Sequence, residues 1–181
     1  MTALARIRSI FAGRTVAQIG LAWLVVVALA AILAPLLAPY DPYDIDPVAR
    51  LSEPGWPHLF GTDHFGRDSF SRALYGARMT VLIGLGAVTV ALLTGGLAGM
   101  LSAYFTRLGH VLMRVVDVLM AFPALLMALV LMTLLERSVV NTILVIGVVY
   151  ATTTARILFG MTLKLKGEVF IDAAICSGAG H

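Results

Sequence analysis

Two ionisable side chains, Asp117 and Arg156, stand at the edges of long apolar stretches and are the first candidates for chemistry. Asp117 follows Arg114 by about one helical turn, and Arg156 follows the run Thr152-Thr153-Thr154. At a rise of ~1.5 Å per residue, two antiparallel helices would bring these charges to similar depth in a membrane. Such a pair permits a proton relay or a structural lock between helices, and a single pair near an interface favours the lock. A second candidate is the segment from Glu168 to Gly178, a small acidic, helix-forming patch directly after Lys164 and Lys166. Within it Ala173 and Ala174 allow close approach of a partner, the Asp172 carboxylate can cap or pair, and Gly178 permits the turn a helix end needs. Other chemistries find little support. His58, His64, His110 and His181 lack ligand spacing, and the single cysteine, Cys176, excludes an intramolecular disulfide and a cysteine metal cage. No nucleophile is paired with a base, and no Gly-x-x-x-x-Gly-Lys-Ser/Thr loop is present to hold ATP.

The elements that must position these residues follow from composition. The 181 residues are 60% hydrophobic and only 13% charged, with a mean hydropathy of +0.95, whereas soluble domains carry about 25% charged residues. This predicts an all-helical integral membrane protein, without room for a separate soluble domain. The net charge of +3 comes from Arg and Lys at loop ends, with no basic cluster interleaved with aromatics, which sets nucleic acid aside. No charge occurs from Arg14 to Asp41 or from Arg78 to Arg107, and each gap exceeds the ~20 apolar residues of a span. Two shorter runs, Asp117 to Glu136 and Arg137 to Arg156, predict spans three and four. The first apolar run is longer than the h-region of about 7–15 residues in a secretory signal, so a retained anchor is favoured.

The Arg-rich N-terminus (Arg6, Arg8, Arg14), the turn from Arg107 to Arg114 and the Lys164/Lys166 end fall on one side, which the positive-inside rule makes the cytoplasm. The segment Tyr40 to Arg78 then faces outward with six carboxylates and four arginines, and Pro42, Pro47, Pro54 and Pro57 predict an extended, turning path. After Asp68, the residues Phe70, Ala73, Leu74 and Ala77 repeat at helical spacing and predict an amphipathic helix along the interface. Ala91, Gly95, Gly99 and Ala103 form a stripe of small residues at intervals of four in span two. It suits close helix packing within the subunit, or at a subunit interface. Pro123 removes a backbone hydrogen bond and predicts a kink in span three, which either lines a pathway or fits its neighbours. Two regions result: residues 1–78, with the tail, first span and outer segment, and residues 79–181, the core with three spans.

The string His58-Leu59-Phe60-Gly61-Thr62-Asp63-His64-Phe65-Gly66-Arg67-Asp68, continued by Ser71-Arg72 and Leu74-Tyr75-Gly76-Ala77-Arg78, resembles the signature before the second helix of dipeptide/oligopeptide/nickel ABC importer permeases. The likeness is to the C-type subunit. Arg114, Asp117, Phe122-Pro123, Tyr150, Ala155-Arg156 and Lys164 continue it. In this family a cytoplasmic loop reading Glu-Ala-Ala, three residues, Gly, nine residues, Ile-x-Leu-Pro forms the coupling helices that dock on the ATPase. Asp172-Ala173-Ala174 and Gly178 fit its first half, with Asp in place of Glu. The resemblance implies a type I ABC importer transmembrane domain with four of six spans present, cut within the coupling loop. It also implies a plasma-membrane protein of bacteria or archaea that moves peptides or nickel complexes by alternating access. The implied partners are a second permease subunit, two ATPase subunits that bind the ATP, and an extracytoplasmic solute-binding protein. This chain itself would be no enzyme and hold no cofactor. The rival expectation is a truncated, non-transporting membrane scaffold that binds an ABC ATPase through the same patch.

Overall fold

A computed structural model describes residues 15–178. No strand forms among them; an isolated bridge pairs Thr62 with Asp68, and everything regular is helical. The helices are α1 (Thr15–Leu37), α2 (Ser69–Ala91), α3 (Leu97–Tyr104), α4 (Thr106–Met120), α5 (Ala124–Leu134), α6 (Val139–Lys166) and α7 (Val169–Cys176). The chain forms two compact units, Met1–Leu82 and Ile83–His181.

In the first unit, α1 is apolar on every side and buries only Ala31 and Ala34. A helix apolar all round suits surroundings of lipid. The segment between α1 and α2 has no helix, as its prolines predict, and is held by turns and side-chain clasps. Asp68 starts α2 as its N-cap: its Oδ2 accepts from the Ser71 amide at 2.7 Å. No separate interfacial helix follows. Helical structure runs without a break from Ser69 to Tyr104, passing through a π-helical turn at Leu92–Gly96. The apolar periodicity after Asp68 therefore belongs to the first turns of a long helix.

In the second unit, α6 is the central rod. Ser138 caps its start by accepting from the Asn141 amide at 3.0 Å, and Lys164 and Lys166 occupy its last turn, where cations complement the helix dipole. Its 28 residues span roughly 42 Å at ~1.5 Å each. The helix passes through Arg156, so span four reaches ten residues beyond the charge that bounds the apolar run. The stripe Ala91, Gly95, Gly99 and Ala103 is buried. A Cβ at Gly95 or Gly99 would overlap the carbonyl oxygens of Ala151 and Ala155 on α6. The close approach predicted for small residues is thus made within the chain.

Among the described residues three helices are long and apolar enough to cross a membrane, Thr15–Leu37, Ser69–Tyr104 and Val139–Lys166. The expected third span is α4 and α5 together, bent by 91° at a break around Ala121–Pro123; counted as one span it makes four. The kink is much sharper than a proline alone gives. Ala121 and Phe122 close the end of α4 by bonding to Asp117, Val118 and Leu119 carbonyls, and Pro123 restarts the chain as N-cap of α5.

Candidate functional site

The signature residues of the outer segment build one clasp. Asp63 lies at its centre, accepting from the Phe65 amide at 2.8 Å, the Arg67 amide at 3.1 Å and Arg67 Nε at 2.9 Å, and pairing also with Arg72. Burial works to raise its carboxyl, but the Phe65 and Arg67 hydrogen bonds and the Arg67 charge outweigh it and hold the group well below the usual carboxylate range. Asp68, 2% exposed, faces the same contest. Burial raises its carboxyl, whereas the Ser71 amide and hydroxyl and the His58 ring lower it further. His58 Nδ1 lies 3.0 Å from Asp68 Oδ1, and the same ring packs on Tyr40 at 4.9 Å between centroids. Tyr40 in turn donates its amide to the buried Ser71 Oγ at 3.2 Å. The chain leaving α1 is thereby tied to the first turn of α2.

Thr62 closes the other side. Its Oγ1 accepts from the Ser52 amide at 2.9 Å and donates to the Ala49 carbonyl. Gly61 and Gly66 have φ of 67° and 81°, and a Cβ on either would overlap the carbonyl of Ser52 or Asp46. Gly61, Thr62, Asp63, Gly66, Arg67 and Asp68 therefore act together as a folding clasp. Arg78 stands apart, exposed on α2. Among the described residues no cluster of His, Cys, Asp and Glu could hold a metal ion.

In the second unit Asp117 on α4 and Arg156 on α6 form an ion pair. It lies beside the core of Met113, Val116 and Ala155, against which Ala98 and Phe159 pack. Past α6, Gly167 and Glu168 turn the chain into α7, eight residues long and without a buried residue. Asp172 lies in its first turn, where the dipole favours a carboxylate. Ala173 and Ala174 are exposed, and Gly178 closes the helix at φ 89°. Its apolar residues Val169, Phe170 and Ile175 are 80%, 60% and 58% exposed. A helix this short is marginal in water without packing.

Three features escape the sequence reading. Lys166 Nζ reaches the Ala103 and Tyr104 carbonyls at 3.4 and 3.3 Å and caps the end of α3, a link across 62 residues that no local spacing signals. The tie from Tyr40 to Ser71 is equally remote in sequence. A cavity of about 210 Å3 between α3, α4 and α6 is the third.

These features define a multi-pass helical membrane protein with a clasped segment before its second helix and an uncovered helix beyond its last long one. Residues 2–54 match the N-terminal transmembrane domain of oligopeptide transport permease C. Residues 91–181 match the binding-protein-dependent transport system inner membrane component. A putative peptide transport system permease protein of Brucella suis biovar 1 is 39% identical over 162 residues, 90% of this chain and 55% of that protein. The dipeptide transport system permease protein DppC of Alkalihalophilus pseudofirmus is 36% identical over 163 residues, 90% of this chain and 54% of its own. The oligopeptide transport system permease protein OppC of Bacillus subtilis is 34% identical over 170 residues, 93% and 56%. The chain belongs to the family of binding-protein-dependent transport system inner membrane components. It spans about half the length of the curated relatives it matches.

Proposed function

We propose that this chain serves as a transmembrane subunit of an ATP-driven, binding-protein-dependent importer of di- or oligopeptides. The supporting observation is α7, a short helix with exposed apolar side chains and two exposed alanines, held beyond the basic end of α6. In this reading α7 seats on a soluble ATPase subunit, with Asp172, Ala173, Ala174 and Gly178 as the contact. A second permease subunit, two ATPase subunits that bind the ATP, an extracytoplasmic binding protein and the bilayer complete the assembly. The chain contributes the pathway and needs no cofactor of its own. Its N-terminus and α7 lie in the cytoplasm of a bacterial or archaeal cell, and residues 38–68 lie outside.

The mechanics follow from the second unit. ATP-driven closure of the ATPases pushes α7, and the two-residue link through Gly167 and Glu168 passes the movement to α6. Because α6 packs backbone to backbone at Gly95 and Gly99, it carries the π-turn and α3 with it as one body. Coexpression with the cognate ATPase tests the docking: membrane-retained complex is expected for the parent and lost in Ala173→Glu. Retention unchanged by that substitution removes α7 as the contact.

Peptides are preferred over nickel complexes as cargo because the relatives named above are peptide permeases. Uptake of labelled dipeptide and of nickel, compared with and without this subunit alongside its partners, separates the two. Docking without uptake of either solute would instead support a scaffold that binds the ATPase without transporting.

A further inference from the structure

Serine and threonine hydroxyls in these helices bond back to carbonyls of the preceding turn, as Thr89, Thr94 and Thr154 do at 2.8, 2.7 and 3.1 Å. Ser102 departs from this habit. It is 2% exposed, and its Oγ has no hydrogen-bond partner among the described residues. A buried hydroxyl without a partner costs free energy that a ligand can return. Ser102 lines the cavity of about 210 Å3 together with His110, Arg114 and Asp117, and with the apolar Met113, Phe159 and Leu163. That volume holds several water molecules, at ~30 Å3 each, or one phosphate group with the carbons next to it.

The electrostatics choose between ligands. Asp117 is neutralised by Arg156, whereas Arg114 forms no ion pair among the described residues, so the cavity carries a net positive charge. Arg107, Lys164 and Lys166 belong to the same helix ends. The cavity sits where α3 stops at Tyr104 and α4 begins at Thr106, and Tyr104, Arg107, Lys164 and Lys166 around these helix ends are of the aromatic and basic types that gather at the level of head groups. Basic pockets between helices at this level suit anionic head groups. A choline or ethanolamine group would bring a cation against Arg114 and its basic surroundings.

We propose that this cavity binds the phosphodiester of an anionic phospholipid. Ser102 Oγ, shut off from the cavity where it stands, turns about χ1 to donate to a phosphate oxygen, and the Arg114 guanidinium donates to another. Met113, Phe159 and Leu163 take the glycerol and the first acyl carbons. The site needs only that the chain lies in a membrane, so it stands or falls apart from the importer assignment.

The purified 181-residue chain in neutral detergent micelles, doped with phosphatidylglycerol or phosphatidylcholine, provides the test. Thermal midpoint by circular dichroism and bound lipid by native mass spectrometry are the readouts. Phosphatidylglycerol is expected to raise the midpoint and to remain bound, and phosphatidylcholine to do neither. Ser102→Ala and Arg114→Gln are each expected to weaken phosphatidylglycerol binding roughly ten-fold or more, the scale of a lost hydrogen bond to a charged group. Arg137→Gln, at the opposite end of α6, is expected to leave it unchanged. Ser102→Ala also removes the unpaired hydroxyl, so without lipid its midpoint should equal or exceed the parent's, which shows that the variant folds. Equal protection by phosphatidylcholine or by inorganic phosphate overturns the proposal. So does a Ser102→Ala chain that binds phosphatidylglycerol as the parent does.

Discussion

Asp117 and Arg156 form an ion pair between α4 and α6, with side chains 42% and 41% exposed. The pair sits beside the small core of Met113, Val116 and Ala155 and fastens the bent α4–α5 pair to the central rod at a point short of its break. Removing one partner leaves the other charge facing surroundings of low polarity. The cost lies between that of an exposed pair, at most about 1 kcal/mol, and that of a buried one, about 3–5 kcal/mol. Asp117→Asn is expected to lower stability by roughly 1–3 kcal/mol within that bracket. The exchange of both charges, Asp117→Arg with Arg156→Asp, should recover part of the loss. Thermal midpoints of the two singles and the double form a cycle. Additive losses, with no recovery in the double, would mean that the pair contributes nothing.

Glycine substitutions separate close packing from mere helix composition. A methyl group at Gly95 or Gly99 would overlap the backbone carbonyls of Ala151 or Ala155, which cannot move without displacing α6. At Gly96 the nearest obstacle is the flexible end of Leu158 at 3.1 Å, and at Gly160 nothing lies within 4 Å. Gly95→Ala and Gly99→Ala should each destabilise by about 1–3 kcal/mol, as overpacking does. Gly160→Ala should be neutral or stabilising by up to about 1 kcal/mol through helix propensity. Equal midpoints across the three variants would show that the two helices are not in backbone contact.

The outer clasp should respond to acid in a fixed direction. The carboxyls of Asp63 and Asp68 are both held below their ordinary value of 3.8 in the folded chain. Groups depressed on folding add stability that is complete above the unfolded value and lost as the pH falls through the folded one. The segment from Pro39 to Asp68 should therefore loosen progressively as the pH falls below about 4. Asp63→Asn should be looser at neutral pH and flatter in acid. Amide hydrogen exchange within the segment, taken as a ratio of parent to variant at each pH, measures this; a ratio constant with pH rules it out. Asp68→Ala should cost about 1 kcal/mol from the lost helix cap, and it also strands His58.

How much of this was legible depends on the range of each interaction. Charge-free runs long enough to span a membrane announce α1, the long helix from Ser69 and α6, because lipid imposes a length that sequence displays. The prolines of the outer segment likewise exclude a helix there. Asp117 and Arg156 are conspicuous as ionisable residues in apolar runs, yet nothing local states that they touch. The break at Ala121–Pro123 is only half visible, since Pro123 marks a kink but nothing local announces the Ala121 and Phe122 bonds that end α4 before it or the 91° bend that results. The apolar spacing after Asp68 misleads about an interfacial helix because the same period describes the opening turns of a span. Lys166 on the α3 carbonyls and the orphan hydroxyl of Ser102 are tertiary facts, without a signal in their neighbours.

The proposed orientation rests on Lys and Arg placement, and the single native cysteine makes it measurable. Cys176 is exposed in α7, on the side assigned to the cytoplasm. Val48, in the outer segment, is 95% exposed and its side chain has no role in the clasp. Two chains follow: the parent, with a thiol only at Cys176, and a Val48→Cys, Cys176→Ser variant, with a thiol only outside. In intact cells a membrane-impermeant maleimide should label the variant and spare the parent. After permeabilisation the parent should become labelled as well, which excludes a buried or blocked Cys176 as the reason for its protection. The reverse pattern would place α7 outside, where no ATPase could reach it, and would end the docking proposal along with the orientation. Labelling of both chains in intact cells would mean that the sealed-membrane premise fails, a condition that a cytosolic protein with a reactive thiol detects in the same sample. Because Asp172, Ala173 and Ala174 flank the reporter on one short helix, protection of Cys176 by added ATPase in permeabilised membranes extends the same measurement from topology to docking.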